Sequence, residues 1–249
     1  MGWNLFRYAG DFSHLASFLV LLYTIRKRES AAGLSLKTQE LYALVFICRY
    51  LDLIYMFSKH AILYNTIFKI FYITVSCYIV YLIRFKEPYK ISYTRNTREK
   101  DGFVSLYLIV PCIILAIIKH NSSGLMDIAW AFSIYLEAVA IFPQLIVLHR
   151  MQKIENLTTY YIFFLGALAS WSLATVVCEN HVRTFVVVGL YKVFYVLNWV
   201  WRILHDPTYT DWIVWIAGVI QVLLYVDFFI NFYRAKKEGM DKDVLLGGI

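Results

Sequence analysis

The chain has 249 residues, 60% of them hydrophobic and 18% aromatic, with only 16% charged and a formal net charge of +7. A soluble domain of this length needs a more charged surface, whereas apolar runs of about 20 residues point to a polytopic helical membrane protein. The Lys and Arg residues lie mainly between those runs, so the excess positive charge is read as membrane topology and not as nucleic-acid binding.

Taken in order, the first predicted span runs from about Tyr8 to Ile25, with Asp11 and His14 interrupting it in a way that argues against a cleavable signal peptide. Arg26-Lys27-Arg28 and Lys37 follow. Span two covers about Leu41 to Phe57 and carries Arg49 and Asp52, and span three covers about Ala61 to Ile83. A basic loop leads to span four, about Phe103 to Ile118, where Pro111 is expected to kink the helix. Span five, about Leu125 to Leu148, contains Asp127, Glu137 and the pair Pro143-Gln144. Span seven runs from about Trp212 to Phe232, with Asp227 inside it, and residues 233–249 form a tail that includes Lys236-Lys237.

Span six lies within residues 158–204, a stretch about twice the length one crossing needs. Two crossings there would give eight spans and an external tail; one crossing plus a surface or re-entrant insertion gives seven. The loops after spans one, three and five carry four, six and two Lys/Arg residues, against one each after spans two and four. Positive-inside counting therefore favours seven spans, a lumenal N-terminus and a cytoplasmic tail.

Within that region, Tyr191, Tyr195, Asn198, Trp199 and Arg202 recur at helical spacing on one face, with Lys192 beside it. A cation at membrane depth costs roughly 2.5–3.5 kcal/mol, so this face is expected to line a wet cavity unless its cations snorkel to the interfaces. Arg7 and Arg49 add two more cations, with Asp52, Asp127 and Glu137 as acidic partners. Surplus positive charge suits a ligand bearing carboxylates. Arg49 and Asp52 stand at i and i+3, however, and could neutralise each other as a local ion pair. Trp199 could stack on a ligand cation or mark the membrane interface. Cys48, Cys77, Cys112 and Cys178 show no metal-ligand spacing and read as packed thiols. No nucleophile–base pair, cofactor motif or phosphate loop points to an enzyme. Spans two and six also share a faint repeat, each with a cation-bearing polar face and a nearby glutamine, Gln39 or Gln144. Two three-helix bundles joined by span four, with the site between them, would explain it.

Several segments resemble the KDEL receptor family, which returns escaped endoplasmic-reticulum proteins from the Golgi. They are Asn4 to Arg7 with Gly10 to Leu15, Arg49 to Leu53, Leu63 to Thr66 with Lys69, Phe132 to Glu137 with Pro143 to Leu145, Leu197 to Arg202, and Tyr225 to Phe229. The resemblance implies a seven-helix membrane domain over residues 1–232, related to the PQ-loop and SWEET sugar transporters, located in endoplasmic-reticulum and cis-Golgi membranes. It implies that Arg7, Arg49 and Arg202 hold the carboxylates of a C-terminal Lys-Asp-Glu-Leu-type signal, with Lys192, Tyr195 and Asn198 on the same wall. Asp52, Asp127 and Trp199 would receive the signal's first residue. His14, Tyr191 and Glu137 would form a pH-sensing network, and Asp227, Lys236 and Lys237 would serve sorting through vesicle coat proteins. Membrane lipids would be the remaining partners; no cofactor is implied.

The chain departs from the family pattern in three places. Lys192 stands where the pattern has Arg, keeping the charge but losing the planar fork. Residues 167–189 are extra, as an insertion or as a mis-spliced reading frame would make them. The tail ends Leu245-Leu246-Gly247-Gly248-Ile249, without the family's serine-containing basic end. A small-solute transporter on the same scaffold, or a receptor-like protein that has lost its ligand, are the competing readings.

Overall fold

The computed structural model describes residues 5–53, 63–121, 124–150, 191–205, 212–218, 220 and 223. Among them the regular structure is all helical: α1 (Leu5–Arg28), α2 (Leu36–Arg49), α3 (Leu63–Phe85), α4 (Tyr89–Asn96), α5 (Leu106–Ile118), α6 (Leu125–Val139), α7 (Phe142–Arg150) and α8 (Tyr191–His205), followed by helical residues 212–218. The extra segment 167–189, Asp227 and Lys236-Lys237 lie outside the described residues, as do the side chains of Tyr191 and Lys192 at the start of α8.

Helix α1 buries Gly10, His14, Ser17, Phe18, Leu21 and Ile25, the three-to-four spacing of a single face. Its last turn holds Arg26, Lys27 and Arg28, cations that complement the negative end of the helix dipole. Tyr72 of α3, with Phe18 of α1 and Phe46 of α2, makes the aromatic centre of the core. Helix α1 packs on α3 and α8, α2 packs on α3, α6 and α7, and α5 packs on α6. Helices α2 and α6 therefore meet, as do α1 and α8, which puts polar residues from distant parts of the sequence side by side.

Among the described residues, two stretches, Tyr64–Phe85 and Leu125–Val147, are long and apolar enough to cross a bilayer. Helix α5 is shorter, and apolar residues such as Leu106, Tyr107, Ile114 and Ile118 are exposed along it while Cys112 and Ala116 are buried. An apolar helix with so little of its surface covered by protein is suited to hydrocarbon on its outer side. Pro111 sits inside α5, where the helix continues through it without the hydrogen bond Pro cannot donate. Cys48, Cys77 and Cys112 are free thiols, with Cys112 buried and Cys77 exposed.

At one end of the bundle a polar clasp ties α2 to α4 and α7. Gln144 accepts from Ser35 N at 2.8 Å and donates through Nε2 to Gly33 O at 2.8 Å, while its own backbone N–H donates to Thr38 Oγ1 at 3.0 Å. Asp101 accepts from Ser35 Oγ at 2.7 Å, Tyr93 Oη at 2.9 Å and Lys37 N at 3.3 Å. Gly33 adopts φ 84°, a left-handed conformation glycine takes without penalty, and its N–H donates to Thr97 Oγ1 at 2.8 Å. Ser35 is the N-cap of α2, accepting from Thr38 N at 3.1 Å. Burial pushes the Asp101 carboxyl above its ordinary value, against the pull of these donors.

Candidate ligand-binding site

Arg7, Asp11 and His14 lie on one face of α1, at offsets of four and three residues. Tyr195, Asn198, Trp199 and Arg202 share a face of α8, the helix against which α1 packs. The two meet where Tyr195 Oη donates to Asp11 Oδ1 at 2.6 Å. Gly10 makes this approach possible: a Cβ there would lie 3.1 Å from Tyr195 Cε1, a distance few real Cβ contacts tolerate.

Asp11 gathers further partners from α3. Tyr64 Oη donates to its Oδ2 at 3.2 Å and Tyr72 Oη to its backbone carbonyl at 3.0 Å. Arg7 Nε stands 3.9 Å from Asp11 Oδ2, and Arg7 Nη2 donates to Asn65 Oδ1 at 3.3 Å. His14 is buried among Phe18, Phe46, Tyr72 and Tyr195, with ring centroids 4.9–6.4 Å away.

A second charged group forms where α2 meets α6. Arg49 Nη1 lies 2.6 Å from Glu137 Oε2, and the same guanidinium donates to Ser133 Oγ and to Ser133 O, each at 3.2 Å. The local Arg49–Asp52 ion pair open from the sequence is absent, because α2 ends at Arg49. Tyr50 takes φ −113°, ψ 26° as its C-cap and carries residues 50–52 out of helical register, so the i,i+3 geometry is never made. Asp52 pairs with Lys69 of α3 instead, and Lys69 Nζ also lies 5.7 Å from the Tyr50 ring centroid. The other Asp52 oxygen, Oδ1, is buried and has no hydrogen-bond partner among the described residues.

Trp199 packs on the next helical segment, 5.8 Å from Trp215 between centroids. Its indole comes so close to residue 218 that a Cβ there would be 2.9 Å away, so any residue larger than glycine would have to displace the ring. Asn198 is buried and Arg202 half-buried on the same helix. Asp127 occupies the first turn of α6, a favourable place for an acid at the positive end of the dipole. The structure thus joins Arg7 to Tyr195 through Asp11 and brings Arg49 to Glu137, with His14 against Tyr195. Tyr191 and Lys192 begin α8, but their side chains are not among those described.

Asp11, Tyr64, Asn65, Lys69 and Ser133 enter the site without having been singled out for it. The available signal for Asp11 was its i+4 spacing from Arg7 within an apolar run. The α3 and α6 residues lie in segments that resemble the family, but their partners are up to 84 positions away, so their roles in the site are not readable locally. Chemically the site offers guanidinium groups that already hold carboxylates or amides in partly dry surroundings. Such groups can exchange those partners for an anionic ligand.

The model of the ER lumen protein retaining receptor family matches residues 30–178. An ER lumen protein-retaining receptor of Petunia hybrida is 44% identical over 235 residues, covering 94% of this chain and 96% of the relative. The protein of that name from Plasmodium falciparum is 40% identical over 95% of each chain, and that from Kluyveromyces lactis is 40% identical over 98% of this chain and 96% of its own. On this near-complete coverage, from plants to yeast, the chain belongs to the ER lumen protein retaining receptor family.

Proposed function

We propose that this chain is a membrane sorting receptor of the endoplasmic reticulum and cis-Golgi, binding C-terminal Lys-Asp-Glu-Leu-type signals and returning the proteins that carry them. The observation that carries the reading is family membership over nearly the whole chain, joined to cation-rich walls on α1, α2 and α8. Arg7, Arg49 and Arg202 take the signal's carboxylates, assisted by Lys192, Tyr195 and Asn198. Asp52, whose buried Oδ1 has no hydrogen-bond partner among the described residues, receives the amine of the signal's first residue, alongside Asp127 and Trp199. His14, Tyr191 and Glu137 make binding depend on pH.

In this reading residues 1–232 form seven spans on the PQ-loop plan, with a lumenal N-terminus. Residues 233–249 form a cytoplasmic tail, and Asp227, Lys236 and Lys237 convey occupancy to vesicle coat proteins. Titration of the purified full-length protein with a Lys-Asp-Glu-Leu tetrapeptide at mildly acidic and neutral pH tests it. Saturable binding that is stronger in acid and is weakened by amidating the peptide's C-terminus is the expected result. Equal binding of acid and amide, or solute flux in proteoliposomes without peptide binding, would overturn it.

A further inference from the structure

Asp11 is an acid that joins three helices at the site, and the receptor reading gives it no role. Its carboxylate accepts from Tyr195 of α8 and Tyr64 of α3, and its Oδ2 is 3.9 Å from Arg7 on its own helix. The groups facing it from those elements are phenols, which donate hydrogen bonds without neutralising charge. Arg7 is therefore the nearest compensating cation the structure displays for Asp11. Arg7 is also a cation assigned to a ligand carboxylate, so two carboxylates have a claim on one guanidinium.

We propose that Asp11 is a resident carboxylate that competes with the ligand's carboxylate for Arg7, and so sets the affinity and the acid-over-amide preference of the site. The proposal rests on the receptor reading above. When ligand enters, Arg7 turns from Asp11 to the incoming anion, and Asp11 remains held by Tyr195 and Tyr64. Those two hydrogen bonds give the displaced carboxylate a place to stay without unfolding the joint between α1, α3 and α8. Removing its charge while keeping its oxygen should thus favour an anionic ligand and leave a neutral one indifferent.

The test is a binding cycle on the full-length protein with Asp11→Asn at about pH 6, on the histidine titration scale, using the Lys-Asp-Glu-Leu tetrapeptide (the acid) and its carboxylate-free analogue, Lys-Asn-Gln-Leu with an amidated C-terminus (the amide). Asparagine still offers Oδ1 to Tyr195. Affinity for the acid should rise by about fivefold, the scale of a partly exposed charge contact, while that for the amide stays within a factor of about two. A fall for both peptides by the same factor would make Asp11 a structural joint only and would overturn the proposal. If Asp11→Asn does not fold, Asp11→Glu decides: a longer carboxylate reaches Arg7 better, so the acid should bind more weakly and the amide unchanged. Equal effects on the two peptides would again overturn it. Failure of the unaltered protein to bind either peptide would instead sink the receptor reading.

Discussion

The Arg49 guanidinium lies 2.6 Å from the Glu137 carboxylate, joining α2 to α6 across 88 positions of sequence. Both side chains are less than one-fifth exposed, and Ser133 supplies two more acceptors to the arginine. A pair this enclosed resists removal of one partner, because the survivor is left charged and dry.

Arg49→Ala should therefore lower thermal stability in detergent, by the equivalent of about 3–5 kcal/mol, as for a broken buried pair. Adding Glu137→Gln should recover most of that loss, since no unpaired charge remains. Peptide binding should stay weak in both variants if Arg49 also grips the ligand. Melting curves and titrations of the two variants separate the roles; full binding in the double variant would remove Arg49 from the ligand site.

Gly10 and Gly218 set how closely α8 fits its neighbours. Gly10→Ala places a methyl 3.1 Å from the Tyr195 ring, and Gly218→Ala places one 2.9 Å from the Trp199 indole. Overpacking of this kind typically costs about 1–3 kcal/mol. Gly10→Ala should also lengthen the Tyr195–Asp11 bond, so Tyr195→Phe added to it should change binding less than Tyr195→Phe alone. Additive losses in that cycle would show that the glycine acts elsewhere.

How far the sequence carried is clearest at α2 and α6. Hydropathy starts the second span at about Leu41, whereas α2 starts at Leu36, because Ser35 caps it and the clasp satisfies Thr38. Polar residues buried by partners in distant segments look like loop when read alone. The fifth span reads as continuous, yet α6 stops at Val139 and α7 begins at Phe142. Pro143 cannot donate to the Val139 carbonyl, and it stands instead in the first turn of α7, where a missing N–H costs nothing. Helix α4 lies in a stretch that reads as a basic loop, since only Tyr89 and Tyr93 are buried on it. The apolar α3 and the α8 face were legible because their periodicity is local; the Arg49–Glu137 and Asp11–Tyr195 contacts were not, because they exist only once the helices have packed.

The clasp gives a pH prediction outside the spans. Burial raises the Asp101 carboxyl above its ordinary 3.8, so the folded protein holds that proton more tightly than the unfolded chain. The stabilisation this supplies is complete below the unfolded value and disappears as pH rises through the raised folded value. Thermal stability of the unaltered protein should thus carry an Asp101 component that declines with rising pH in the acidic range. Asp101→Asn should remove that slope while costing about 1 kcal/mol where Nδ2 now faces the Lys37 N–H. An unchanged slope would place the titration on another acid. Gln144→Ala should be the more damaging change, as it strands Ser35 N and Gly33 O together.

His14 is the remaining test of the acid-dependent switch. An unperturbed histidine titrates near pH 6.5, between the near-neutral endoplasmic reticulum and the more acidic Golgi. A protonated ring favours an anionic ligand, and by linkage the ligand favours the protonated ring, so binding must tighten as pH falls. Tenfold tighter binding requires only about 1.4 kcal/mol of coupling. The aromatic surroundings of His14 make His14→Phe the informative variant: it keeps a ring against Phe18, Phe46 and Tyr72 and removes the titrating group. Its affinity at about pH 7.4 should resemble that of the unaltered protein, with the gain at about pH 6 flattened. If the folded variant keeps the full response, His14 serves packing alone and the switch passes to a carboxylate. Glu137 on Arg49 and Asp127 in the first turn of α6 are then the acids whose removal should abolish it.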